Sequence, residues 1–258
     1  MKRFEGKTAV ITGGAQGIGL ATAERLVAEG ASVFIADIKP WEGSAASQKL
    51  TLGDRVAYRR ADVSHAAEVE SMMAEAETRL GHIDVLVSNV GVAKSTPFLD
   101  LAEEEIATGF RTNLFSMIWC CQAAMRRMKA RGKGGAVVLM SSVNAVMTMP
   151  GFTIYNCSKG GIEQLTRVLS IEFADDNIRV NAVGPGTILT ELAKNAVLND
   201  EASRRRILSR TPMKRFGEPE EVASVVAFLA SDDASYITGE TIFINAGRRA
   251  LNYTVAVD

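Results

Sequence analysis

The sequence predicts a doubly wound α/β fold, a seven-stranded parallel sheet with helices on both faces. Two observations carry this. Short apolar, β-branched runs alternate with longer amphipathic stretches from one end of the 258 residues to the other. No Pro/Gly/Ser-rich linker, internal repeat or low-complexity tract interrupts the alternation, so residues 1–258 read as a single domain. Strict alternation implies parallel strands, because right-handed crossovers return each strand to the same direction and leave a helix on a face of the sheet.

Taken in order, the predicted strands are "TAVIT" at 8–12, "SVFIA" at 32–36, "VAYRR" at 56–60 and "DVLVS" at 84–88, then "AVVLM" at 136–140, "IRVNAV" at 178–183 and "TIFIN" at 241–245. Helical periodicity fills 18–29, 66–80, 113–130 and 155–174, and a further helix starts near Pro219. One segment breaks the alternation. Residues 187–217 form a long connection with helical character in "DEASRRRIL" but no strand, and such connections are often lids over a ligand.

Composition removes several function classes. A formal net charge of −1, with no basic run longer than "RRR" at 204–206, provides no footprint for nucleic acid. The first residues lack the apolar core and cleavage site of a signal peptide, and no apolar run approaches the ~20 residues of a membrane span, so the expected location is the cytoplasm. Cys120, Cys121 and Cys157 have neither metal-ligand nor disulfide spacing; the first two belong to an apolar helical stretch and read as core. His65 and His82 lie beside charged or small residues and read as solvated, with no metal site expected. Acid–base chemistry must therefore use another residue type.

In open α/β sheets a ligand sits outside the carboxyl ends of the strands, at the switch point of strand order. "TGGAQGIG" at 12–19 follows the first strand directly and opens the first helix. Its glycines let the backbone turn sharply and approach a pyrophosphate, whose charge the helix N-terminus stabilises. That context predicts a dinucleotide-binding Rossmann fold. Asp37 stands 18 residues beyond the last glycine, at the end of the second strand, where a carboxylate accepts hydrogen bonds from ribose hydroxyls and repels a 2′-phosphate. Gln16 brings no cation to neutralise such a phosphate, so the expected cofactor is NAD.

These residues together resemble the classical short-chain dehydrogenases/reductases over almost the whole chain. The three-residue gap in "TGGAQGIG" is the family's, and it assigns Gly13, Gln16, Gly17, Ile18 and Gly19 to the cofactor. "ADV" at 61–63 is similar to the family's adenine-contacting strand end, which brings in Asp62 and Val63 beside Asp37 and Ile38. "SNVG" at 88–91 stands where "NNAG" is usual, keeping Asn89 and Gly91. "VGPG" and "TILT" resemble the loop that holds the nicotinamide carboxamide, with Pro185, Gly186, Ile188 and Thr190 in contact. "NAG" at 245–247 replaces the usual "DGG".

The resemblance also assigns the chemistry. Ser142 lies 13 residues before Tyr155, the family's spacing, and Lys159 follows four residues later, one helical turn away. Tyr155 is then the proton-transfer group, Ser142 fixes the substrate oxygen, and Lys159 lowers the tyrosine pKa and binds the nicotinamide ribose. Asn113 holds a water leading to solvent; as an alternative it is an N-cap before "LFSMIWCC". On alternating strand geometry only one of Ser141 and Ser142 can face the cleft.

The substrate pocket is expected between 93–97, 143–152 and the lid, with Ser95, Thr96, Asn144 and Thr148 set among Met147, Met149 and Phe152. The tail "GRRALNYTVAVD" is similar to those of some bacterial sugar and polyol dehydrogenases, so the expected substrate is a sugar, polyol or related secondary alcohol. The alternatives are a 3-oxoacyl thioester reductase and a non-catalytic NAD-binding protein. Apolar residues on more than one face of helices 113–130 and 155–174, read with the resemblance, point to a homotetramer.

Overall fold

A computed structural model describes residues 2–191, 193, 200–254 and 256. Its strands are β1 (Thr8–Thr12), β2 (Ser32–Asp37), β3 (Val56–Arg60), β4 (Val85–Ser88), β5 (Gly135–Met140), β6 (Ile178–Pro185) and β7 (Thr241–Ile244). They form one parallel sheet in the order β3-β2-β1-β4-β5-β6-β7. This is the predicted Rossmann architecture. β1 is buried along its whole length, as a central strand covered on both faces must be, which is why its sequence is an unbroken run rather than an alternation.

The helices are α1 (Gly17–Ala28), α2 (Ala45–Lys49), α3 (Ala66–Leu80), α4 (Glu103–Phe110), α5 (Ser116–Arg131), α6 (Thr153–Glu172), α7 (Glu201–Leu208) and α8 (Pro219–Ala230). α1 packs on α8; α3 packs on α5, and α6 on α4. Between the helical layers lies a continuous core that includes Val10, Ile35, Leu86, Val138 and Met117, all fully buried. None of the helices, among the described residues, is long and apolar enough to cross a membrane.

The structure departs from the sequence expectation at three places. β2 and β6 run on to Asp37 and Pro185, so these two residues belong to the strand ends. α2 and α4 are additional; α4 begins with Glu103, Glu104 and Glu105, which complement the positive end of its own dipole. The predicted helix at 113–130 has no start at 113. α4 continues through a π-turn (Arg111–Phe115) into α5, so Asn113 lies inside a helix and is not an N-cap. Part of the proposed lid, residues 192 and 194–199, lies outside the described residues, as do 255, 257 and 258 of the tail.

One ion-pair cluster pins the chain's N-terminal segment to the end of α1. Glu29 caps the C-terminus of α1, where the helix dipole disfavours a carboxylate. Arg3 offsets this with two hydrogen bonds, Nε to Oε2 at 2.6 Å and Nη2 to Oε1 at 2.9 Å, and Arg25 Nε donates to Oε1 as well. The adjoining Phe4 is buried in the core. The Arg3 hydrogen bond holds the Glu29 carboxyl at about 2 against the opposing effect of burial, with Arg25 assisting. A carboxyl depressed in the folded state contributes stability that is complete above its unfolded pKa and is lost as pH falls through the folded one. Urea denaturation should therefore show a contribution on the order of 2 kcal/mol that disappears between about pH 4.5 and 2. Glu29→Gln should flatten that part of the acid limb; an unchanged limb would assign it to other carboxylates.

Candidate active site

The winding of the sheet reverses between β1 and β4, its central pair, and the loops that leave their carboxyl ends diverge. A cavity of about 590 Å³ opens there. The glycine turn after β1 forms one wall. Gly13 adopts φ 68°, a conformation costly for other residues, and its N–H donates to the Ala36 carbonyl of β2 at 2.7 Å. Gly19 packs so tightly that a Cβ would stand 2.2 Å from the Gly13 carbonyl oxygen. Asn89 clamps the same turn from β4: its side-chain amide donates to the carbonyls of Thr12 and Gly13 at 3.2 and 3.0 Å.

The N-terminus of α1 faces the cavity in a state suited to an anion. Gln16, in the cap position, makes no capping hydrogen bond, and no acid stands in the first turn. The first N–H groups thus keep their donor capacity, which fits a pyrophosphate. Gln16 instead accepts a hydrogen bond from the Lys39 ammonium. Asp37 is buried at the end of β2, with Oδ2 accepting from the Ala15 N–H and Oδ1 from the Lys39 N–H, both at 3.0 Å. Ile38, Asp62 and Val63 line the cavity beside it.

Ser142, Tyr155 and Lys159 meet at the other end, beyond β5. The two serines part as strand alternation requires. Ser141 Oγ donates to the buried Glu163 carboxylate at 2.6 Å, whereas Ser142 Oγ, on the cavity wall, accepts from the Asn144 N–H at 3.1 Å. Lys159 lies beneath the tyrosine, its Nζ 5.5 Å from the ring centroid, and donates to the Met140 carbonyl at 2.6 Å.

The expectation that Lys159 draws the tyrosine pKa down is corrected by this arrangement. Burial raises the Tyr155 pKa, opposed by hydrogen bonding to the Ser142 hydroxyl, and the lysine contributes no resolved effect. Burial also lowers the lysine itself to about 7. Desolvation disfavours the charged form of each group, so it moves an acid up and a base down.

Asn113 does not line the cavity but braces its wall. The π-turn aims its side chain at the loop after β4, where Oδ1 accepts from the Val92 N–H at 2.7 Å and Nδ2 donates to the Val92 carbonyl at 2.9 Å. Single π-turns of this kind re-aim one side chain within a helix. Gly19 likewise stands behind the wall; the other sequence-predicted residues, including Gly17, Ile18, Gly91, Pro185, Gly186, Ile188 and Thr190, all border the cavity. Ile188 is buried, and Thr190 contacts the space above Gly17, so the chain after β6 folds back over the glycine turn.

The substrate-side expectation holds in part. Ala93, Val143, Asn144, Met149 and Phe152 border the cavity, but Ser95, Thr96, Met147 and Thr148 do not. Thr96 spends its hydroxyl on Glu105 and its N–H on the Gly151 carbonyl. Sequence reasoning missed Thr108 and Thr112, which border the cavity at i, i+4 spacing, and Arg248 from the segment after β7. The threonine pair had a helical signal; Arg248 had none, because its placement depends on a turn.

Cys120 and Cys121 are core residues, and burial pushes the Cys120 thiol up to about 12. His82 is not simply solvated: its Nε2 lies 3.0 Å from Asp84, which also holds Arg131 and the Thr8 N–H. No metal-binding cluster occurs among the described residues.

A family model described as enoyl-(acyl carrier protein) reductase matches residues 13–249. L-rhamnose 1-dehydrogenase (NAD(P)(+)) of a Sphingomonas species is 36% identical, covering 96% of this chain and 98% of that protein. A 3-oxoacyl-[acyl-carrier-protein] reductase of Chlamydia trachomatis is 38% identical, covering 93% and 96%. The crystal structure of levodione reductase superposes with a TM-score of 0.89 at 33% identity, covering 96% and 99%.

Glu163 holds the floor of this site: besides Ser141 it accepts from Thr241 Oγ1 at 2.7 Å, tying α6 to β5 and β7. Glu163→Ala should cost about 1–3 kcal/mol in chemical denaturation, because two buried hydroxyls lose their acceptor. Glu163→Gln, able to accept from one hydroxyl and donate to the other, should retain most of that stability. Equal losses in both variants would mean that the carboxylate charge, not the hydrogen bonding, matters.

Proposed function

The chain belongs to the classical short-chain dehydrogenase/reductase family of nicotinamide-dependent oxidoreductases, and within it we propose an NAD-dependent dehydrogenase that interconverts a secondary alcohol, of the sugar or polyol class, with its carbonyl compound. The observation that carries this reading is the convergence of Ser142, Tyr155 and Lys159 on one cavity with Asp37 at its far end. The bound nicotinamide supplies the hydride acceptor or donor. Everything else is the work of side chains.

Tyr155 exchanges the proton with the substrate oxygen, and Ser142 donates a hydrogen bond that fixes that oxygen and stabilises charge developing on it. Burial raises the phenol and lowers Lys159 to about 7, so at neutral pH Tyr155 keeps its proton and can give it to a carbonyl oxygen, while Lys159 beneath the ring binds the nicotinamide ribose. Asn113 keeps the Val92 loop in place at the edge of the site. Asp37 offers carboxylate oxygens to the adenosine ribose, which supports NAD over NADP.

Exposed Val168 and Ile171 on α6, with Phe115 at the start of α5, support burial of this face against further copies in a homotetramer. Three free cysteines, one of them exposed, support a reducing cytoplasmic location. A second reading, reduction of a 3-oxoacyl thioester, is favoured by the apolar Met149, Phe152 and Ile207 on the cavity wall.

NADH formation across sugars, polyols and acyl thioesters tests the proposal. Tyr155→Phe should reduce turnover about 10²–10⁴-fold without loss of NAD binding. A broad panel without turnover would leave a non-catalytic NAD-binding protein. Asp37→Ala should weaken NAD about 10–100-fold while sparing NADP; parallel losses would remove the ribose role. In alcohol oxidation, where the phenolate is the working base and burial raises the phenol, kcat/KM should keep rising with pH well above neutrality rather than level off near 7. Lys159→Arg, a cation at every pH, should move that limb to lower pH by favouring the phenolate.

A further inference from the structure

The cavity wall carries a cation, Arg248, that no carboxylate among the described residues pairs with. After β7 the chain reverses through Ala246 and Gly247, with φ of 53° and 85°, and enters a short 3₁₀ turn (Arg248–Ala250). The left-handed conformation costs an alanine about 1–2 kcal/mol, so the reversal is maintained by its surroundings, where the Ala246 carbonyl accepts from the Met213 N–H at 3.3 Å. Its effect is to bring Arg248 to the cavity wall together with Ala193, Ile207 and Met149.

Arg248 Nε is sealed from solvent and has no hydrogen-bond partner. Arg131 Nε shares that condition, but its terminal nitrogens bind Asp84 and the Gly134 carbonyl. Among the described residues no carboxylate pairs with Arg248. The adjacent Arg249 lies 3.8 Å over the Phe243 ring and is thus accounted for. On the other side of Arg248 is a second, smaller cavity of about 100 Å³, whose acidic residue, Glu221, is already committed to Arg215 through two 2.7 Å bonds. Arg210 adds only like charge, and burial lowers the Arg248 pKa further, yet a guanidinium remains a cation at any physiological pH.

An unpaired, partly desolvated guanidinium is costly unless a ligand completes it. We infer that Arg248 is a substrate-binding residue, and that the preferred substrate is a hydroxy acid or keto acid whose carboxylate it receives while the secondary alcohol or carbonyl carbon lies at Tyr155. A single planar fork in an apolar wall matches one planar anion; a phosphate dianion calls for more than one cation. This inference rests on the dehydrogenase reading and narrows its substrate class.

The test compares D-gluconate, D-glucuronate and 3-hydroxybutyrate with D-sorbitol, D-glucose and 2-butanol, using NAD and the wild type, Arg248→Met and Arg248→Lys. An acid should be preferred over its neutral counterpart by at least about 10-fold in kcat/KM. Arg248→Met should lower that value about 10–100-fold, mainly through KM, and leave the neutral alcohols within about twofold. Arg248→Lys should fall between. As a readout separate from turnover, D-gluconate should raise the melting temperature of the wild type with NAD and not that of Arg248→Met. If Arg248→Met does not fold, competition against the wild type by acetate and by acetamide gives the same discrimination.

Neutral alcohols turned over in a Tyr155-dependent manner with no acid preference would overturn the Arg248 inference and leave the dehydrogenase standing. Preference for sorbitol 6-phosphate over every acid would overturn the carboxylate assignment. Gluconate protection that depends on Arg248, without Tyr155-dependent turnover of anything, would sink the dehydrogenase reading and keep the anion site.

Discussion

Everything in the site depends on the parallel register of the three central strands. Thr12 pairs with Ser88, and Ser88 with Leu139, so β1, β4 and β5 end level with one another. A level edge makes the residues just beyond it neighbours in space, although they lie far apart in the chain. Because the winding reverses at β1 and β4, the following segments diverge and a crevice opens. A slip of one residue in β5 would exchange Ser141 for Ser142, turning toward the cleft the hydroxyl that Glu163 now occupies. Register is therefore a chemical variable here, fixed by an apolar core that tolerates only one alternation.

The second theme is burial of groups that would rather be hydrated. Tyr155 and Lys159 are shifted in opposite directions by the same desolvation, which favours the neutral form of each without an ion pair. The Met140 carbonyl satisfies the lysine, and the Ser142 hydroxyl assists the phenol. Glu163, deeper in the floor, takes hydrogen bonds from β5 and β7 and keeps that geometry fixed. Arg248 differs from all of these because, among the described residues, its Nε has no hydrogen-bond partner and no carboxylate pairs with it. Desolvation at a satisfied group tunes it, whereas desolvation at an unsatisfied one calls for a ligand.

Much of this was legible in the chain. The strands were readable because buried parallel strands are continuous apolar runs, and β1 ends where its β-branched pattern ends. The glycine turn was readable because few other residues fit its backbone. α2 was not, being five residues long and too short for a periodic signal. The N-cap alternative for Asn113 failed for a similar reason: a π-turn leaves no mark in helical periodicity, so the start of α5 could not be separated from the end of α4. The change from "DGG" to "NAG" had no reading in sequence, yet its alanine occupies the first left-handed position before Arg248.

By itself the sequence determined the order of elements, the parallel sheet, the glycine-rich anion site and the serine–tyrosine–lysine spacing, because each is encoded by local pattern or a fixed interval. Only the tertiary structure decided that Ser141 turns to Glu163, that the Asn113 side chain bonds the Val92 backbone, that burial raises Tyr155, and that Arg248 reaches the cavity wall. Those outcomes depend on what surrounds a side chain once distant segments have packed, and desolvation and unmet hydrogen bonds have no value until the chain has closed around them.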